Sequence, residues 1–340
     1  MTSMLKFLFF KYHLSILISC LLCFSFNNKN AKTEKFYKKE ISSETFNVVR
    51  VAENIYSIVS PSFGLPTPEN KGWNSNVHFI VTKNGVLLFD TGSSESIGHK
   101  IKRTIASVTK LPVRWVVNSH SHADHWLGNA AFDKTTEIIT SKNALAEMKK
   151  YGKDDVAFYN KVTKGKIGPT QLAFPSSIIN NSLKRNFDGI EVEFILTEEN
   201  HSAGDIIMWL PKHKVVFGGD VLSSDWMPII TEDVNIPSLI NTLNFIAELN
   251  PTKILIGHGN TTTVRSIRRD INLLSSVWKQ VELDNKNGNR PEETLLKIKT
   301  ELNPEYTFLY KNYTAEIERY IKLMYSLQNK ASVKSNSHDK

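Results

Sequence analysis

The segment Asn118-Ser-His120-Ser-His122-Ala-Asp124-His125 gathers three of the chain's ten histidines and an aspartate. Imidazole nitrogens and a carboxylate oxygen are a donor set suited to zinc. His120 and His122, two apart in an extended run, point the same way. Asp124 and His125 come after the chain has turned, so they can face a second ion. Surface histidines are the bland alternative, and four donors at this spacing make it the weaker one. One loop cannot complete two sites, so other ligands must lie elsewhere. His201, Asp220 (in Gly218-Gly219-Asp220) and His258 (in Gly257-His258-Gly259) are the candidates.

The flanking elements decide whether these groups meet. Val113–Val117 reads as a strand that ends just before His120. Ile206–Leu210 runs out from His201, Pro211-Lys-His-Lys214 turns the chain, and Val215–Phe217 returns to Asp220. That hairpin brings His201 and Asp220 to one end. A buried strand over 254–256 leads into His258. Every candidate ligand thus lies near one rim of a sheet, where α/β proteins place their ligands. The glycines let the backbone approach a crowded site closely. His78, His99 and His213 have no place in the set and read as surface or satisfied core residues.

Around this frame, residues 48–51 and 55–59 form one predicted hairpin, and Val77–Val81 with Val86–Phe89 another. Helical spacing marks 96–108, through Ile97, Ile101, Ile105 and Val108. Ile190–Leu196 is a further strand, and Leu239, Leu243 and Ile246 mark a helix stopped at Asn250-Pro251. Two successive sets of alternating strands and helices predict an α/β layered fold. Residues 151–183 show little periodicity and read as an insertion. The expected domains are a signal segment 1–26, a polar linker 27–44, a catalytic domain 45–268, a helical extension 269–329 and a disordered tail 330–340.

Composition fits this plan. The chain has 340 residues, 41% hydrophobic and 22% charged, which excludes a mainly disordered, collagen-like or multi-span membrane protein. Its net charge is +8; without Lys6 and Lys11, 40 basic residues face 34 acidic ones, leaving +6. The lysines are scattered, so a small-molecule substrate is expected and nucleic acid is not. Residues 14–26 are uncharged and follow those two lysines, as in a secretory signal, and the mature chain would contain no cysteine. Cys23-Phe-Ser25 offers a cleavage site. Leu17-Ile-Ser-Cys20 also looks like a lipoprotein box, which would tether the chain to a membrane by a lipid on Cys20. The expected location is therefore exported, either periplasmic or membrane-anchored.

The ordered series His120-x-His122-x-Asp124-His125, His201, Asp220 and His258 resembles the metallo-β-lactamase superfamily over residues 46–265. The resemblance implies an αββα sandwich, here with a C-terminal helical extension, and two Zn2+ ions per monomer between the sheets. It implies that His120, His122 and His201 hold the first zinc, that Asp124, His125 and His258 hold the second, and that Asp220 bridges them. Asp90 resembles the buried carboxylate that supports the ligand loop in that family. Two such ions would share an acidified water for hydrolysis at an acyl centre, with Asp124 as the catalytic residue orienting it. Nucleases and phosphodiesterases share the superfamily, so the site alone does not fix the bond.

Departures narrow the expectation. The β-lactamases of the superfamily usually carry Cys or Ser where this chain has Asp220, and those with Cys commonly carry Lys where it has Ser223. Asp is instead the pattern of its thioesterases and lactonases. Residues 125–132 and 201–205 are similar to exported members associated with quinoprotein and sulfur-compound oxidation. The reading is a zinc hydrolase of small thioesters, lactones or related esters and amides. The alternatives are a β-lactamase and a non-catalytic metal-binding accessory of a periplasmic oxidation system. Residues 61–75, with Phe63, Leu65 and Trp73, either flap over the substrate or simply pack. Residues 223–228, with Trp226 and Met227, are expected to line the other wall.

Overall fold

Strand periodicity sets the layers. The computed structural model describes residues 44–60 and 64–338, with side chains at 303–304 and 331–338 not described. The expected signal segment, Cys20, Phe63 and all of the linker except Glu44 lie outside the described residues. One sheet orders β1 (Val49–Ala52), β2 (Ile55–Ile58), β3 (Val77–Val81), β4 (Val86–Phe89), β5 (Val113–Val117), β6 (Glu137–Ser141) and β7 (Ser177–Ile179) as sequential neighbours. It is antiparallel from β1 to β4 and parallel from β4 to β7. The other sheet runs through β8 (Leu183–Phe187), β9 (Ile190–Leu196), β10 (Ile206–Leu210), β11 (Val215–Phe217) and β12 (Lys253–Leu255), with only the β11–β12 pair parallel.

Alternate residues of β10 belong to different cores. Ile206, Met208 and Leu210 join Phe89, Val117, Phe194 and Phe217 between the sheets. Ile207 and Trp209 face the outer helices instead. On the opposite outer face, α1 (Glu95–Val108) lays Ile97, Ile101 and Ile105 against Phe79, Leu88 and Val116. Ser94 caps that helix through Ile97 N. The layers are therefore helix, sheet, sheet, helix, as expected.

Short α2 (Ala123–Trp126) follows β5 and carries two of the candidate ligands. α3 (Lys142–Val162) covers the first third of the segment read as a patternless insertion. Its buried positions Leu145, Met148, Gly152 and Tyr159 keep helical spacing, but Gly152 hides the pattern. A Cβ there would press on the Trp126 ring at 2.8 Å, so the helix needs glycine for close packing.

The second outer layer combines α4 (Ile236–Glu248), α5 (Val264–Lys286), α6 (Pro291–Glu301), α7 (Asn303–Leu309) and α8 (Tyr313–His338). Leu239, Leu243, Leu273, Val277, Ile317 and Ile321 form one core with Ile207 and Ile254. The expected boundary at 268/269 thus falls inside α5, and the helical extension shares the catalytic domain's core. α8 also continues through residues 330–338, read as a disordered tail, since no glycine or proline after Tyr313 stops it.

Candidate metal centre

Strand ends deliver the donors. His120 follows β5, Asp220 follows β11 and His258 follows β12, while His201 precedes β10. The antiparallel β10–β11 register, Met208 opposite Phe217, places His201 and Asp220 at one end. His120, His122, His201 and Asp220 form one nest, and Asp124, His125 and His258 form another. All seven residues singled out in the sequence therefore fall in these two groups.

Asp220 lies between the nests. Its Oδ2 is 3.8 Å from His120 Nε2, 3.5 Å from His201 Nε2 and 3.2 Å from His258 Nε2; its Oδ1 is 3.5 Å from His125 Nε2. His258 Nε2 is also 3.2 Å from Asp124 Oδ2. His201 Nε2 and His122 Nδ1 are 2.9 Å apart, close enough to share one proton or one cation. Gly257 makes this proximity feasible, because a Cβ there would overlap Asp220 Oδ1 and crowd His125 Cε1 at 2.9 Å.

Neighbouring acceptors aim the rings. Asp90 Oδ2 accepts from His125 Nδ1 at 2.8 Å. The same oxygen accepts from Ser119 Oγ at 2.9 Å, and Ser119 Oγ accepts from His120 Nδ1 at 2.8 Å. His258 Nδ1 donates to Asn74 O at 2.8 Å. Each contact takes the proton on the outer nitrogen and leaves Nε2 facing the centre. Asp205 holds the His201 turn by accepting from the amides of His201 and Ser202, at 3.0 and 3.1 Å.

Burial disfavours charge on all five rings. It prevails at His120, His122 and His201, lowering His122 to about 4. At His125 and His258 burial is outweighed, chiefly by Asp220 with help from Asp124, and the pKa rises. Burial likewise pushes both carboxylates up, but His125 and His258 outweigh it and hold Asp124 and Asp220 below the usual range. The centre thus calls for positive charge beside two carboxylates. His120 Nε2, His125 Nε2 and Asp220 Oδ1 are buried without a hydrogen-bond partner. Such orphaned atoms are costly, and shared cations would satisfy them, so the residues fit a metal.

Several supporting residues escaped the sequence reading. Asn74 Nδ2 donates to Asp124 Oδ2 at 2.9 Å. Asn76 Nδ2 donates to Ile256 O at 2.9 Å and Gly259 O at 2.7 Å, gripping the His258 loop. The unbroken polar run Asn74-Ser-Asn76 at the entrance to a buried strand was the available signal. His78 is a satisfied core residue, between Ser57 Oγ at 2.9 Å and Ile256 O at 3.0 Å. His99 is exposed beside Glu95, and His213 also stays outside both nests.

The wall residues differ in part from expectation. Trp73 stacks on Phe46 with ring centroids 3.8 Å apart and is buried, which favours packing over a flap. Met227 is buried in the outer helical core rather than lining an open wall, because the C-terminal helices cover it. Ser223 donates its hydroxyl to Asp270 at 2.6 Å.

Residues 70–258 match the metallo-beta-lactamase superfamily, whose members are mostly metal-dependent hydrolases that typically bind zinc. Metallo-beta-lactamase IND-1 of Chryseobacterium indologenes is 29% identical over 155 residues, 46% of this chain and 57% of that protein. The chain thus spans little over half the length of that relative. Metallo-beta-lactamase type 2 of Bacteroides fragilis is 21% identical over 231 residues, 64% of this chain and 81% of that protein. The solved structure of the stereoselective inverting sec-alkylsulfatase Pisa1 from Pseudomonas sp. has a TM-score of 0.59 at 15% identity, covering 80% of this chain and 52% of that one. At that identity the likeness is one of fold. With more than half of its length matched and an αββα arrangement of layers, the chain belongs to the metallo-beta-lactamase superfamily.

Proposed function

We propose that this protein is a dinuclear zinc hydrolase of small acyl substrates, with thioesters and lactones ahead of β-lactams. The observation that carries the reading is the position of Asp220 between two His-rich nests, with three orphaned atoms facing the gap. His120, His122 and His201 would hold one ion, Asp124, His125 and His258 the other, and Asp220 both. Bound there, the ions would supply Lewis acidity toward the scissile group and acidify water toward neutral pH.

The chain's own groups do the rest. Asn74 fixes Asp124 through Oδ2, and the carboxylate so held would orient the attacking water. Asp90 keeps the His125 and His120 lone pairs aimed inward. Ser223 offers no cation to a substrate carboxylate, and its hydroxyl is already committed to Asp270. A lost charge-assisted hydrogen bond of that kind is worth about 1.5–3 kcal/mol, or roughly ten- to a hundredfold in binding. This disfavours the β-lactamase reading, which the names of the two relatives support. The same proposal places the chain outside the cytoplasm, free or tethered through Cys20; fractionation of cells expressing the full chain tests that.

A zinc-loaded preparation assayed on thioester, lactone, penicillin and carbapenem panels decides substrate class. The expected order of kcat/KM puts a thioester or lactone first. A penicillin or carbapenem ahead of all of these by tenfold would make β-lactam hydrolysis the function. No turnover of any class by fully loaded protein would favour the accessory reading.

A further inference from the structure

The segment that leaves Asp220 returns beneath His201. His201 Nδ1 lies 3.4 Å from Ile229 O, and Thr231 Oγ1 lies 3.5 Å from His201 O. Between these points the segment is tied at intervals to the C-terminal helices and to the turn 311–312 that joins α7 to α8. Ser223 Oγ donates to Asp270 Oδ2 of α5 at 2.6 Å. Lys311 N donates to Asp225 O at 2.8 Å, and its Nζ is 2.7 Å from Asp225 Oδ2. Asn312 Oδ1 accepts from Met227 N at 2.9 Å, and Arg319 Nη1 donates to Ile230 O at 3.2 Å.

We infer that the C-terminal helices are a clamp on residues 221–231, and that Asp270, acting through Ser223, is the positioning residue that sets Asp220 from behind. Asp270 is 2% exposed and takes donors on both oxygens. Tyr310 donates to Oδ1 at 2.8 Å, and Arg269, which lies over the Tyr310 ring, donates to the same oxygen at 2.8 and 3.0 Å. The carboxylate is therefore fixed in direction before it reaches Ser223. Ser223 is only three residues from Asp220, and Val221 and Leu222 between them are buried, so displacement of Ser223 passes to Asp220 with little slack. This rests on the two-nest reading of the centre but not on any particular substrate.

The test uses the full chain, with zinc affinity read by competition against a chromophoric chelator and amide exchange read without added metal. Asp270→Ala should weaken zinc binding about tenfold, the range for groups that orient metal ligands. It should also speed exchange across 221–231. Ser223→Ala should give the same loss, and the double variant no more than either alone, because both cut one connection. Asp270→Asn, which keeps one acceptor for the Ser223 hydroxyl but sets its amide N–H against the Tyr310 and Arg269 donors, should recover part of the affinity and fall between Asp270→Ala and the parent. Should Asp270→Ala fail to fold, Asn312→Ala releases the same segment at Met227 and should speed its exchange. Additive losses in the double variant would overturn the proposal, as would a lowered Tm with unchanged zinc affinity and exchange. These readouts stand even where no substrate is turned over, so failure of the clamp and failure of the hydrolase reading remain distinguishable.

Discussion

Asp90 Oδ2 accepts the Nδ1 proton of His125 at 2.8 Å, joining the end of β4 to the ligand loop after β5. Asp90 holds a left-handed backbone, φ 66°, which non-glycine residues seldom adopt. Its Oδ1 accepts from Ser119 N at 2.7 Å, so both oxygens are committed to one loop. Asp90→Asn replaces one acceptor by a donor and sets an N–H against another N–H. Zinc affinity should fall about 10- to 100-fold while the fold persists. Competition titration and circular dichroism together check this; unchanged affinity would leave Asp90 a turn residue only.

Asp124→Asn should damage turnover more than metal content. The amide still offers a weak oxygen ligand but brings no charge and a poorer acceptor for water. A loss on the order of 10³ in kcat is expected, with the ion at His120, His122 and His201 retained. Parallel kinetics and elemental analysis decide it, and parent-like kcat would make Asp124 structural.

Gly257→Ala tests the crowding at the bridge. The new methyl would occupy space taken by Asp220 Oδ1, so that carboxylate must swing away. We expect at least tenfold weaker metal binding with the secondary structure intact. A variant that loads zinc like the parent would show that Asp220 has room to spare.

Elemental analysis of protein prepared without chelator should find two transition-metal ions per chain. A strong chelator should abolish hydrolysis and lower Tm, since ions bound only by the folded state stabilise it. A ratio fixed at one under zinc excess would remove the bridging role of Asp220.

His78 should leave a signature in acid. Burial is the main cause that lowers its pKa from 6.5 to about 4, against the raising effect of the Ile256 carbonyl. The unfolded chain therefore takes up this proton first. The associated stability is complete above pH 6.5 and is lost as pH falls toward 4. In urea unfolding of metal-free protein, the stability advantage over His78→Gln should shrink from pH 7 to pH 4.5. An advantage constant over that range would contradict the assignment.

The sequence by itself picked out the seven candidate donors that the fold brings together, because metal chemistry depends on residue type and four of the seven share one short segment. It also determined β10, β11 and the hairpin that unites His201 with Asp220, since continuous apolar runs around Pro211 leave little else. Local pattern did not reveal α3, where Gly152 interrupts the apolar stripe, nor the boundary inside α5, where the helix is continuous across 268/269. Tertiary structure alone decided which groups support the ligands. Asn74, Asn76 and Asp270 lie 50, 180 and 47 residues along the chain from the groups they hold. Such partners are set by how sheets and helices stack, and no periodicity in the chain records a hydrogen bond that only packing creates.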